Sequence, residues 1–385
     1  MINITEDFYC YGCGICADVC PKKVFEMRIS QEGFYIPSIV NDKCINCGIC
    51  DKVCAFHNEH LNDNEVVDSY SAASRSAQIR QTSTSGGLGY EISKCLMDEG
   101  YQIIGVEYDY KNHRAKYEIA TDTDGLKRFQ GSKYIQGYPN QVLRKALSKD
   151  NKDNKYVVIG TPCYIDSARR AVSLIKRDNS FIFIDFFCHG VPSYLLWDKY
   201  LIKQLKKFSI LKPDKIEFRD KQNGWGYDFT LSISDKNKRI LSQAKKGDAF
   251  HAFFLNNLCL NKACYNNCKY KNLASSADIR IGDLWSNKYI HNKKGVSGAI
   301  VYTKNGLRIF ELLKTYCRIS REEIDIVTEG QLKSKLTIPS DRESVIRELR
   351  NNKNLSLIYF KFILPIKCRR FIKRCIKKIE RIISL

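Results

Sequence analysis

Two cysteine runs of identical spacing fill the first sixty residues and restrict what this chain can fold around. Cys10, Cys13, Cys16 and Cys20 are followed by Pro21, and Cys44, Cys47, Cys50 and Cys54 repeat the same C-x2-C-x2-C-x3-C order 34 residues later. The repeat extends beyond the cysteines: Gly14 matches Gly48, Ile15 matches Ile49 and Val19 matches Val53. Three thiolates at consecutive three-residue steps can cap three corners of one iron–sulfur cubane if the backbone winds tightly around it, which suits the small residues Gly12, Gly14 and Gly48. In two-cluster proteins the fourth cysteine of each run reaches across to the other cluster. The spacing therefore predicts two 4Fe-4S clusters, one on Cys10, Cys13, Cys16 and Cys54, the other on Cys44, Cys47, Cys50 and Cys20. Zinc is the rival, but zinc sites pair two C-x2-C knuckles across a longer spacer. Between the runs, residues 24–29 and 33–40 read as two short strands around a polar turn, so residues 1–60 form a small pseudo-symmetric two-cluster unit of ferredoxin type.

A chain of 385 residues has room for two or three domains. Its start, MINITEDFYCYGC, has no basic stretch followed by an apolar one, so a cytoplasmic protein is expected, and the odd count of 17 cysteines argues for metal ligation over disulfides. Residues 1–60 carry five Lys/Arg against eight Asp/Glu, a charge of −3, so the remainder must hold +24 to reach the total of +21. That basic body either steers acidic partners or is a solvated lysine-rich surface.

The fold class expected is α+β, the cluster unit being followed by an α/β body with a mixed sheet and a basic amphipathic C-terminal helix. Residues 61–81 are polar and serine-rich and read as a linker. Within 82–150 and 151–330, residues 101–109, 155–160 and 181–187 read as strands, and 87–100, 164–176 and 194–208 have helical spacing. Residues 331–385 form a basic helical tail.

Polar turns punctuate the body. Thr84-Ser85-Gly86-Gly87 precedes a helix and is either an anion-binding turn or an ordinary helix start. Gly131-Ser132-Lys133-Tyr134 offers a cation at a turn, and Gly160-Thr161-Pro162-Cys163 ends a strand where α/β sheets bind ligands. A third thiolate group is less regular: Cys188, in Phe187-Cys188-His189-Gly190-Val191-Pro192, and the C-x4-C-x3-C of Cys259, Cys264 and Cys268 supply four ligands for a third 4Fe-4S cluster, with Cys163 a fifth candidate. The competing reading is that these are small buried residues. Cys95 and Cys317 read as core or surface positions. His189 is either a proton donor to a reduced substrate or flavin or a strand-end histidine bonded to backbone.

In this order the motifs, with Asp278-Ile279-Arg280-Ile281-Gly282-Asp283-Leu284-Trp285, resemble the coenzyme F-420 hydrogenase/dehydrogenase beta-subunit family in the form with an N-terminal dicluster ferredoxin. The resemblance spans residues 5–310 and implies an FAD- and iron–sulfur-dependent oxidoreductase passing electrons between clusters, flavin and a two-electron carrier or substrate. It makes Ser85, Gly86, Gly87, Lys133, Thr161 and Cys163 candidate cofactor contacts, and Cys188, Cys259, Cys264 and Cys268 a cluster next to the flavin. The spacer Tyr265-Asn266-Asn267 is one residue longer than the resemblance leads one to expect. Relatives include proteins encoded with polysaccharide-synthesis enzymes, so the acceptor is either a coenzyme F-420-type carrier or an intermediate of that synthesis. The alternative is a non-catalytic electron-transfer subunit docked to a separate enzyme. The partner expected is a redox protein or reduced ferredoxin, and no nucleic acid.

Residues 367–385 hold eight Lys/Arg and one Glu, with Cys368, Phe371, Ile372, Cys375, Ile376 and Ile379 recurring at helical intervals. An amphipathic helix of this kind suits an anionic membrane surface on the inner face of the membrane, or packs on the body or a partner.

Overall fold

The computed structural model describes residues 10–59, 61, 65–226, 229–332, 336–351 and 353–383. Residues 1–9, on which the reading of the chain's start rests, lie outside them.

The two cysteine runs surround a hairpin of β1 (Phe25–Ile29) and β2 (Tyr35–Ile39), antiparallel as the sequence predicts. Each run folds into a short helix, Ile15–Val19 and Ile49–Lys52, and each helix begins at a left-handed glycine, Gly14 at φ 78° and Gly48 at φ 72°. A side chain is disfavoured in that conformation, which explains why both repeats keep glycine there.

The body is built on β3 (Asp68–Ser74), β4 (Tyr101–Asp109), β5 (Arg114–Ala120), β6 (Gly137–Tyr138), β7 (Lys155–Ile159), β8 (Phe181–Phe186), a separate three-stranded sheet of β9 (Lys215–Glu217), β10 (Thr230–Ser234) and β11 (Arg239–Gln243), then β12 (Ile279–Asp283), β13 (Ser297–Val301) and β14 (Cys317–Arg321). The large sheet has the order β14-β3-β13-β12-β8-β7-β4-β5-β6 and is mixed, with β12, β8, β7 and β4 mutually parallel. Central parallel strands are covered on both faces, so they read as unbroken apolar runs such as Phe181-Ile182-Phe183-Ile184, all buried. One face packs Leu88, Ile92 and Leu96 of the helix Leu88–Asp98 and Ile309 and Phe310 of the helix Lys304–Leu313. The other packs Ile165, Ala168 and Val172 of the helix Pro162–Leu174, together with Ile15 and Val53 from the cysteine unit. The cysteine unit thus shares a hydrophobic core with the body.

Residues 61–81 do not act as a linker throughout. Their middle contains β3, which lies between β13 and β14 inside the sheet. Its polar composition hides a buried strand because the hydroxyls have partners: Ser69 donates to the Glu322 carbonyl at 2.6 Å, Ser71 to the Glu322 carboxylate at 3.0 Å, and Ser74 to Glu91. The C-terminal helix runs from Leu355 to Ile383, with Pro365 inside it. Among the described residues no helix is long and apolar enough to cross a membrane.

Candidate functional site

The crosswise grouping of the eight N-terminal cysteines follows from the pseudo-symmetric wrap. Cys20, Cys44, Cys47 and Cys50 line one pocket alongside Pro21, Phe25 and Ile49. Cys10, Cys13, Cys16 and Cys54 form a second group of mutually interacting thiols. Burial pushes the Cys16 thiol well up, and Cys13, Cys10 and Cys54 push it further, ahead of Cys50 of the other group. Cys13 is raised to about 11 by burial in the first place, and Cys10 and Cys54 are raised for the same reason. Buried thiols that raise one another favour the neutral form, so a strongly cationic occupant is what would hold all four as thiolates. The same local bond recurs at the start of each run: Gly12 N–H donates to Cys10 Sγ at 3.1 Å and Asn46 N–H to Cys44 Sγ at 3.5 Å. Among the described residues no three Cys, His, Asp or Glu converge at single-ion spacing. A cubane takes one thiolate at each of four irons, so its ligands stand further apart than those of one ion.

A third thiol group forms where the parallel strands β7 and β8 end side by side. The helix Pro162–Leu174 that follows β7 carries Cys163 in its first turn, and the loop after β8 carries Cys188. Cys163 is raised by burial and then by Cys13, Cys188 and Cys264, while Cys264 is raised to about 12 by burial and then by Cys188 and Cys268. Cys268 also faces Cys188. The group is therefore Cys163, Cys188, Cys264 and Cys268. Cys259, expected as a ligand, is excluded from it. It is fully buried among Trp197, Phe250 and Phe253, and its thiol is raised to about 12 by burial, with no other cysteine contributing.

Cys13 faces both Cys54 and Cys163, which places the third group beside the first. Tyr11 fills the seam, its phenol donating to the Asn267 carbonyl at 2.9 Å, and its pKa is raised by burial, then by Cys268 and Cys163. Lys269 donates to the carbonyls of Ala55 (3.1 Å), Phe56 (2.8 Å) and Asn58, tying the Cys268 loop to the end of the second cysteine run. From the far side, Arg280 forms a fully buried bidentate pair with Asp185 at 2.8 and 2.7 Å and donates to the carbonyls of Asn272 and Ala274. This is the work of the arginine in the Asp278–Trp285 motif: it fixes the loop that follows Cys268.

The expected flavin contacts take other partners. Ser85 donates to the Val296 carbonyl at 2.6 Å, and Gly86 N–H donates to Ser297 Oγ at 3.0 Å. A Cβ on Gly86 would collide with the backbone of Ala72 and Ser297, and Gly87 begins its helix at φ 89°, so this loop needs its glycines for close approach and turning. Lys133 spends its three donors on the carbonyls of Arg128, Phe129 and Gln130, capping a helix end, and burial pulls it down to about 7. Thr161 reaches the third thiol group, with its hydroxyl 3.3 Å from Cys163 Sγ.

His189 sits next to that group with its ring edge-on to Phe254 at 4.9 Å, and Phe254 stacks on Tyr134 at 5.4 Å. Burial, then Lys271, pulls His189 down to about 4, and its Nε2 is buried without a hydrogen-bond partner. Nearby, Arg219 lies over Phe229 at 4.1 Å and Trp285 at 5.1 Å, and Trp225 stacks flat on Trp285 while donating to Asp283 at 3.0 Å. The buried Arg219 Nη1 lies 3.6 Å from the Asp283 carboxylate, an ion pair without a hydrogen bond. Sequence reading missed Arg219, Trp225 and Phe254; Asp283 and Trp285 belonged to a quoted motif, but no periodicity marks the others.

Residues 9–58 match the family model of the 4Fe-4S dicluster domain, and residues 153–326 match that for the C terminus of the beta subunit of coenzyme F420 hydrogenase/dehydrogenase. The C-terminal region belongs to the beta-subunit family, behind an N-terminal dicluster domain. The chain is therefore an iron–sulfur electron-transfer protein related to that beta subunit. Among solved structures, one from the F420-reducing [NiFe] hydrogenase complex of Methanosarcina barkeri aligns at 17% identity and a TM-score of 0.48, over 76% of this chain and 91% of that one. No curated protein matches the chain. The pocket of four cysteines suits a cubane in the dicluster domain, and the beta-subunit region contributes the third thiol group and the aromatic cluster around His189.

Proposed function

We propose that this chain is an FAD- and 4Fe-4S-dependent oxidoreductase that takes single electrons from a redox partner protein or reduced ferredoxin. Its acceptor is a two-electron carrier or substrate, of coenzyme F-420 type or an intermediate of polysaccharide synthesis. The observation that carries this reading is the serial order of the thiol groups, from the group containing exposed Cys47, through the group of Cys16 and Cys13, to Cys163 and Cys188 beside His189. Bound 4Fe-4S clusters would supply one-electron storage at each group, and a bound flavin would supply exchange between one- and two-electron chemistry.

The chain's own residues do the rest. The ligands are Cys10, Cys13, Cys16 and Cys54 for one cluster, Cys20, Cys44, Cys47 and Cys50 for the second, and Cys163, Cys188, Cys264 and Cys268 for a third. Tyr134 and Trp285, both half-buried, offer ring surface to a flat cofactor, with Phe254 packed behind Tyr134, and Arg219, paired with Asp283 at 3.6 Å, offers a buried cation beside them. His189, held neutral by burial, presents an unpartnered Nε2 and is the candidate for moving a proton.

Anaerobic purification with flavin analysis tests the reading. One FAD per chain is expected, lost in Phe254→Ala with the iron content kept, and the isolated chain should reduce a deazaflavin from a one-electron donor. Iron without flavin and without turnover would replace this reading with that of an electron-transfer subunit serving a separate enzyme.

A further inference from the structure

The C-terminal helix has two opposed faces. Leu355, Ile358, Phe362 and Ile363 are buried in the body's largest core cluster. Leu357, Phe360, Leu364, Cys368, Phe371 and Cys375 are all exposed, and at 3.6 residues per turn they fall within about 80° of one another, opposite the docked face. Ile372, Ile376 and Ile379, also exposed, widen this stripe toward the helix end. From Leu357 to Ile379 it runs about 33 Å at 1.5 Å per residue. Phe360 and Phe371, each 68% exposed, are not the incidental surface residues of a soluble helix.

The face opposite the stripe identifies its occupant. Arg369, Arg370, Lys373, Arg374 and Lys377 are exposed beyond Ile366, and Glu380 is the single acid between 367 and 383. A long apolar stripe backed by a cationic face matches a surface whose apolar interior lies beneath anionic headgroups, which long Lys and Arg side chains can reach from the helix's outer side. We propose that the C-terminal helix lies in the plane of an anionic phospholipid bilayer, with Leu357 to Ile379 inserted and the basic side chains at the headgroups. The body then sits on the membrane through its docked face, within reach of lipid-embedded electron donors or acceptors. This proposal does not depend on the flavin reading, since it rests only on the helix.

Vesicle flotation of the full chain tests it, using phosphatidylcholine with or without phosphatidylglycerol. The protein should float with phosphatidylglycerol vesicles, remain behind with phosphatidylcholine alone, and be released by salt. The double variant Phe371→Asp/Ile376→Asp should lose roughly tenfold in bound fraction, with circular dichroism and iron content unchanged, because both side chains point to solvent. Lys373→Gln/Arg374→Gln/Lys377→Gln should weaken binding and flatten its salt dependence. Wild-type protein that ignores phosphatidylglycerol vesicles, or a double variant that binds as well as wild type, overturns the proposal. So does a wild-type dimer that the double variant converts to monomer without any vesicle binding, which would assign the stripe to a second copy of this chain.

Discussion

The two halves of the dicluster domain share one motif and occupy opposite environments. In the first half Gly12 and Gly14 are crowded, so that a Cβ would overlap Gln136 at one and Pro139 at the other, and Ile15 is fully buried in the body's core. In the second half Gly48 has open space around its missing Cβ, Ile45 is 57% exposed and Cys47 faces solvent. The repeat gives two equivalent wraps, and packing against the body buries one of them and leaves the other exposed. The duplicated motif sets the local turn geometry; the surroundings set which half stays accessible.

Substitutions at matched positions separate these roles. The largest contrast is at the ligands. Cys16→Ser and Cys47→Ser should each cost roughly four irons per chain, but only Cys16→Ser should also lower the melting temperature, because its group is sealed against the body. Equal melting temperatures would break the distinction. Next, Ile15→Ala should destabilise by about 2–5 kcal/mol, as for a fully buried side chain, and the matching Ile49→Ala, only half-buried, by about 1–2 kcal/mol; urea midpoints read the difference. The smallest contrast is at the turn glycines. Gly48→Ala should cost only the left-handed backbone penalty of about 1–2 kcal/mol, and Gly14→Ala about 1–3 kcal/mol more for the collision with Pro139.

What can be read from the sequence is what is encoded locally. The strands β4, β7 and β8 and the helix Tyr194–Phe208 stand where periodicity puts them, because each satisfies its own backbone and buries a continuous or amphipathic face. The dicluster runs are legible for the same reason, as their ligands lie a few residues apart. β3 reads as linker because a serine-rich strand looks polar until its distant acceptors on Glu322 and Glu91 are known. Chain proximity to Cys264 draws Cys259 into the third thiol group, whereas Cys163 reaches that group only because β7 and β8 are parallel neighbours. The candidate flavin contacts rest on the family resemblance, and the sequence does not reveal that Ser85, Gly86 and Lys133 direct their donors at carbonyls and hydroxyls of the protein itself.

Three thiol groups stand in series from the exposed half of the dicluster domain to His189. Iron analysis of anaerobically prepared wild type, Cys163→Ala and Cys259→Ala tests whether all three hold clusters. Roughly twelve irons are expected in the wild type, roughly eight in Cys163→Ala and an undiminished count in Cys259→Ala. Roughly eight irons in the wild type, or iron lost on replacing Cys259 and kept on replacing Cys163, would contradict the three-cluster reading.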